Sequence, residues 1–431
     1  MNQKKIAQEL IDFTYSSPTA YHAVSNVSSM LLKNDFQQLF FEDVWTLQKG
    51  EKYFVTKNRS ALIAFVVGEN IADSGFRIAG SHTDSPAIKI KPNPELLTEG
   101  FLKLNTEVYG GPILNTWFDR PLAVAGRVIL KSDDVFNPIT MLLNINKPLM
   151  IIPNLAIHMN REINSGVNIN NQKELLPIIQ TVKNSFEKEN FLLKIIAENL
   201  KVNIYDILDF DLFLYEYDKG SIVGIDNEFI SASRLDNLEA FNAGINALIC
   251  ADHNPSVTHV VAGFDNEEVG SSTKQGADSQ LLSTLLERIV LSLNGGREDF
   301  FRALSNSFMI STDGAHAFHP NRGEKCDITN KPIINKGPVI KISSNQKYTS
   351  DADSIAVCKL ILEKAKVPYQ EFVNHSNEKG GSTIGPLSSR HLEIRSVDLG
   401  VAFLAMHSIR ELIGVEDHCY MVKLLKALYE V

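Results

Sequence analysis

The sequence predicts an α/β protein: a mixed sheet flanked by helices, interrupted by an inserted β-rich second domain. Three observations predict it. The first is a repeated junction in which an apolar run ends in a polar cluster: FRIAG runs into Ser81-His82-Thr83-Asp84-Ser85, VTHVVAGF into Asp265-Asn266-Glu267-Glu268, and SFMIST into Asp313-Gly314-Ala315-His316. In open α/β sheets, ligand sites gather beyond the carboxyl ends of strands. The second is an alternation of strand and helix patterns from about residue 225 onward. The third is a change of texture between residues 90 and 224, where Asn and Pro become frequent and short strand-like pieces such as GRVILK and DLFLYEY appear. Residues 1–90 and 225–431 are therefore read as one discontinuous domain, and 91–224 as the insert.

Taken in order, MNQKKIAQELIDF reads as a short amphipathic helix without the unbroken apolar run of a secretory signal. ALIAFVVG and FRIAG are Val-, Ile- and Phe-rich strands. Within the insert, a helix is expected near NSFEKENFLLKIIAENL, and Asn164 to Asn171 reads as a loop. Helical spacing returns after Leu235 (LDNLEAFNAGINALICA), in SQLLSTLLERIVLSLNG and in MVKLLKALYEV. The 431 residues, 44% of them hydrophobic, are enough for one large core or two medium ones.

Composition excludes several functions. The net charge of −9, from 42 basic and 51 acidic residues without long like-charge blocks, offers neither a nucleic-acid face nor a polybasic membrane anchor. No stretch approaches the roughly 20 apolar residues of a membrane span. Cys250, Cys326, Cys358 and Cys419 are scattered, which suggests neither a disulfide framework nor a zinc knuckle and points to a cytoplasmic location. A small-molecule or peptide substrate fits this balance.

A His-x-Asp at one strand end, with Glu-Glu, Asp and His supplied from separate junctions, provides nitrogen and oxygen ligands without thiolate. That set suits zinc, with manganese or cobalt as replacements, and is large enough for two ions. A lone Asp after a strand is more often a helix cap, and an acidic pair in a loop is ordinarily solvated, so the coincidence carries the reading. His82 is expected to bind metal while Asp84 orients a ligand ring. Glu267 and Glu268, being adjacent, point in different directions, so one can ligate while the other reaches a water. Gly380-Gly381 lacks the Gly-Lys-Ser/Thr ending of a phosphate loop and reads as a close-approach loop beside the metal site.

Eight ordered segments complete the pattern: SHTDSPAIKIKP, EVYGGPILNTWFDRPLAVAGRV, IPNLAIHMNREIN, SRLDNLEAF, FDNEEVGSSTKQGADS, STDGAHAFHPN, KGPVIKISSNQKY and GVAFLAMHSIREL. Together they span nearly the whole chain, and the chain resembles the aspartyl aminopeptidase family of dinuclear zinc aminopeptidases. The resemblance implies a zinc-exopeptidase-type fold and two Zn2+ per subunit held by His82, Asp236, Glu268, Asp313 and His407, with the pairing of ligands to ions left open. It puts Glu267 at the general-base position, and His158, His316, Lys341 and Tyr348 around the substrate. It also implies peptide substrates with acidic N-terminal residues, and a homo-oligomer, a dodecamer built from dimers, with the insert assisting assembly.

Without the resemblance, His158 in LAIHM reads equally well as a histidine packed under a strand, and Lys341 as a solvated strand lysine. His319 is a structural candidate, and His22, His253, His259, His375, His391 and His418 receive no role. Pro112 and Pro121 depart from the residues usual in the family and bear on loop geometry rather than on the ligands. The alternatives are an aminopeptidase of broad or neutral specificity, an aminoacylase or carboxypeptidase of the same fold, and a catalytically silent scaffold.

Overall fold

A computed structural model describes residues 3–166, 168–182 and 190–431. The chain forms two compact units: Met1–Asp84, Gly220–Met406 and Glu411–Val431 make the first, and Ser85–Lys219 with His407–Arg410 the second. These limits differ from the expected 90/91 and 224/225. Residue 90 falls inside the strand Ala87–Thr98, whose Pro92 and Pro94 hide it, because proline is depleted in strands. Its ladder with Phe101–Tyr109 shifts register between Ile90 and Glu95, as an irregularity around two prolines requires.

In the first unit, the described residues form a nine-stranded sheet in the order Gln37–Gln38, Lys52–Lys57, Ala61–Val66, Thr258–Phe264, Phe76–His82, Phe308–Thr312, Arg395–Gly400, Val339–Ile342, Gln370–Val373. The four central strands, from Thr258–Phe264 to Arg395–Gly400, are mutually parallel, while Ala61–Val66 and Val339–Ile342 join them antiparallel. Thr258–Phe264 and Phe308–Thr312 are buried along their whole length, as strands covered on both faces must be.

Alternation along each strand sorts the core into two layers. Ala79, Val261, Ile310 and Val397 pack on one face with the helices Gln3–Ser16, Ala20–Leu32, Leu235–Cys250, Ala352–Ala365 and Val415–Glu430. Ile78, Val260, Ala262 and Met309 pack on the other with Leu281–Ser292, Arg297–Ser305 and Ile384–Leu392. In Leu281–Ser292 the buried positions are 281, 282, 285, 286, 289 and 290, the apolar stripe of a one-sided helix. Truncating fully buried Leu285 to Ala should cost about 2–5 kcal/mol.

In the second unit, the described residues form a six-stranded antiparallel sheet in the order Ile139–Met150, Leu122–Leu130, Ile207–Glu216, Ala87–Thr98, Phe101–Tyr109, Ile178–Thr181. Ile88, Leu104, Val124, Leu143 and Leu212 form its core, with Leu192 and Ile196 of the helix Phe191–Leu200. The helix expected over 184–200 thus occupies 191–200, and its first six residues lie outside the described set. Arg410 returns to this unit and, with Arg120, pairs with the buried Glu216. Among the described residues no helix is long and apolar enough to cross a membrane.

Candidate active site

Register brings the polar junctions of the first unit to one edge. Phe264 lies beside His82 and Ser311 beside Gly80, so the strand ends preceding Asp84, Glu267 and Asp313 coincide. Asp313 donates its N–H to Leu399 O at 3.0 Å. A Cβ on Gly400 would stand 1.9 Å from Asp313 O, so only glycine permits this crossing. Asp236 opens the helix Leu235–Cys250, donating its N–H to Glu411 Oε2 at 2.9 Å. Asn237 Nδ2 donates to Thr312 O at 2.8 Å and ties that helix start to the neighbouring strand end.

His82, buried, is the hub. Its Nε2 lies 3.4 Å from Asp236 Oδ1 and 3.9 Å from Asp313 Oδ1, while Nδ1 lies 3.3 Å from Asp84 Oδ1. The Asp84 carboxylate accepts the backbone N–H groups of Glu267 at 3.1 Å and Glu268 at 3.2 Å. The turn presenting those groups begins at Asn266 in the left-handed region, φ 62°, and its side-chain oxygen accepts from Thr273 and Gln275. One carboxylate therefore holds both the acidic pair and the histidine.

Ligand atoms of His82, Asp236 and Asp313, and likewise of His82, Glu267 and Glu268, lie within 4.8 Å of one another. Imidazole nitrogen with carboxylate oxygens and no thiolate fits a divalent metal such as zinc. The electrostatics agree, since acids outnumber cations here. Burial pushes the Glu267 carboxyl up to about 7; the carboxylates of Asp313, Asp84 and Asp236 push the same way, against His82. Burial alone would lower the His82 pKa, but its bonds to Asp236, Asp313 and Asp84 outweigh burial and raise it well above its usual range.

Three of the expected substrate residues share one small cluster of the same unit. Lys341 is buried, donates to Gly314 O at 3.0 Å, lies 3.7 Å from Asp313 Oδ2 and sits 5.2 Å over the Tyr348 ring. The solvated-lysine alternative is thereby overturned. His316, exposed, meets Phe372 edge-on at 5.9 Å. His158 belongs to the second unit and sits in an exposed turn, with Leu155 52%, Ile157 48% and Met159 73% exposed. LAIHM is therefore no strand, and His158 is not packed beneath one. His407, also of the second unit, has Nδ1 3.0 Å from Gly111 O. His319 is exposed, and His418 pairs with Glu239 at 2.7 Å in the interior.

Sequence reasoning missed Glu411, Asn237 and Asp398. Asp398 is buried, accepts from Thr349 N at 2.6 Å and Thr383 Oγ1 at 2.8 Å, and abuts Gly385, where a Cβ would come within 2.5 Å of its carboxylate. That approach is made by Gly385 inside the helix Ile384–Leu392; of the glycine pair itself, Gly380 abuts the Asn374 side chain, where a Cβ would come within 2.4 Å, and a Cβ on Gly381 would meet nothing within 4 Å. The available signal was a charged residue inside the apolar run of RSVDLG.

The family model described as aminopeptidase I zinc metalloprotease (M18) matches residues 13–429. The chain belongs to the M18 aminopeptidase family. A "probable M18 family aminopeptidase 2" of Clostridium novyi is 60% identical over 100% of both chains. Among solved structures, Ape4 in a complex with Nbr1 is 36% identical, with TM-score 0.95 over 99% of this chain and 86% of that one. The S. cerevisiae mApe1 dodecamer is 29% identical, with TM-score 0.87 over 100% and 97%. This M18 chain is thus a metallo-aminopeptidase with the fold of its relatives, and the acylase, carboxypeptidase and silent-scaffold alternatives give way to that assignment.

Proposed function

We propose that this M18 aminopeptidase releases acidic N-terminal residues, using two zinc ions held by His82, Asp236, Glu268, Asp313 and His407, with Glu267 as general base. The observation that carries the reading is Asp84, which accepts the backbone N–H groups of both Glu267 and Glu268 and so fixes the turn that presents their two carboxylates beside His82. Bound zinc would supply the Lewis acidity that polarises a scissile carbonyl and acidifies a water. Glu267 takes the proton of the attacking water and returns it to the leaving amine. Asp84 orients His82. His316, Tyr348 and His158 are assigned to the substrate side on the resemblance, as is Lys341, which would neutralise a substrate carboxylate.

One observation favours a second reading, broad or neutral specificity. Lys341 already engages Gly314 O and faces Asp313, so its charge serves a proposed metal ligand. Rates on aspartyl, glutamyl and leucyl aminoacyl substrates separate the two: aspartyl over leucyl supports the first reading, and the reverse selects the second. Elemental analysis should return two zinc ions per chain, and one would refute the dinuclear centre.

Assembly as a homo-oligomer, a dodecamer by analogy with the mApe1 relative, is supported by the exposed apolar loop bearing Leu155, Ile157 and Met159. A monomer mass by light scattering would overturn it. Cytoplasmic location is supported by four free cysteines.

A further inference from the structure

The central strands of the first unit have a second, opposite end. Phe308 is in register with Arg77 on one neighbouring strand and with Arg395 on the other. Paired positions of parallel strands share a face, and strands lie about 4.8 Å apart, so the two arginine stems flank Phe308 about 10 Å from each other. Above them, the helix Ala352–Ala365 presents Val357, Leu360, Ile361 and Lys364, positions i, i+3, i+4 and i+7 of one stripe. The space between is a cavity of about 530 Å3, within the size range of small-molecule sites.

Its charge is unbalanced. Arg77, Lys364 and Arg395 line it against Glu363 and the carboxylate-bearing last residue Val431, which leaves the positive charge in excess by one. Arg77 Nη1 is held by three carbonyls, Ser74 O at 3.2 Å, Phe76 O at 3.4 Å and Asn306 O at 3.0 Å, and no carboxylate among the described residues pairs with it. Arg395 has Asp353 at 3.4 Å, but these side chains are 50% and 66% exposed, the geometry of a weak surface pair. Burial, and then the like charge of Arg395, pull the Arg77 pKa below its usual value. An anion would relieve both the repulsion and the missing partner. The remaining walls are aliphatic and aromatic, which a bare inorganic ion would leave unfilled.

We propose that this cavity binds a small amphipathic carboxylate, its head group against Arg77 and Arg395 and its aliphatic tail along Phe308, Val357, Leu360 and Ile361. Arg77 and His82 are five residues apart on one strand, about 17 Å, so such a ligand lies outside the peptidase centre.

Titration calorimetry of the zinc-loaded enzyme with octanoate tests it. Saturable one-to-one binding is expected, weakened at least tenfold in Arg395→Glu and several-fold in Leu360→Ala; both positions are half-exposed or more, so the variants should fold. Octanol and inorganic phosphate, each carrying half of the recognised chemistry, should bind at least tenfold more weakly. No binding to the wild-type enzyme overturns the proposal. So does equal affinity of Arg395→Glu, which would place octanoate elsewhere, the metal centre included, and so does equal affinity for phosphate, which would make the apolar wall irrelevant.

Discussion

The two ends of one sheet carry opposite chemistry. At the carboxyl ends of the central strands, Asp84, Asp236, Glu267, Glu268 and Asp313 gather around His82, with buried Lys341 beside Asp313. At the amino ends, Arg77 and Arg395 flank Phe308. Between the two ends, Thr258–Phe264 and Phe308–Thr312 are buried along their whole length, and the strand Arg395–Gly400 carries the buried Asp398. The acidic end is preorganised by hydrogen bonds between its own members, above all through Asp84. The basic end is held by backbone carbonyls, which fix a guanidinium without neutralising it. Excess negative charge suits a resident divalent cation; excess positive charge beside an apolar wall suits a diffusible anion.

The sharpest break would come at the acidic end. Glu267→Gln removes the proposed base and keeps the size and position of the side chain, so kcat/KM should fall by about 10²–10⁴, or about 3–5 kcal/mol of barrier, with zinc content unchanged. Near-normal turnover in that variant removes Glu267 from the mechanism. A smaller loss, about 10–100-fold in activity or metal affinity, is expected of Asp84→Ala, because the partner of His82 and of both glutamate N–H groups disappears. If Asp84→Ala binds zinc and turns over normally, the shared-carboxylate argument is wrong.

At the basic end the effect should fall on stability. Arg77→Met keeps the apolar stem and leaves the Ser74, Phe76 and Asn306 carbonyls short of a donor, a cost of about 1–3 kcal/mol read from the urea midpoint. An unchanged midpoint would show that water already satisfies those carbonyls, and that Arg77 is not structurally committed.

The two ends were not equally legible. The acidic end could be read because each polar cluster directly follows an apolar run, as His82 follows FRIAG-Ser81, so a local pattern marks a strand and its carboxyl end together. The basic end could not: Arg77, Phe308 and Arg395 are far apart in sequence and meet only through strand order, which no local pattern encodes. The same reason hid Glu411, whose bond to the Asp236 N–H joins residues 175 apart. The change of texture after residue 90 suggested an insert whose limit cuts the strand Ala87–Thr98, because Pro92 and Pro94 argue against a strand that Phe101–Tyr109 nonetheless pairs with. Tertiary pairing overrode propensity there.

A buried acid that belongs to neither end provides the reference case. Asp417 is fully buried in the helix Val415–Glu430; burial pushes its carboxyl up to about 7, against the N–H groups of Asn335 at 2.6 Å and Gly337 at 2.9 Å, with Glu239 and Glu416 adding to the rise. The folded state therefore prefers the neutral acid. Stability from this group is fully present below the unfolded pKa of about 4 and is lost as pH rises toward 7. Asp417→Asn cannot ionise, so its melting temperature relative to the wild-type protein should climb between pH 4 and pH 7. The change should be at least of order 1 kcal/mol and is set by the wild-type carboxyl alone, because the amide nitrogen, which turns a donor toward one of the two N–H groups, shifts the difference by the same amount at every pH. A difference that stays flat with pH would mean that the two backbone donors already hold Asp417 ionised. Burial at this position would then be offset by hydrogen bonds alone, as it is not at the acidic end of the sheet.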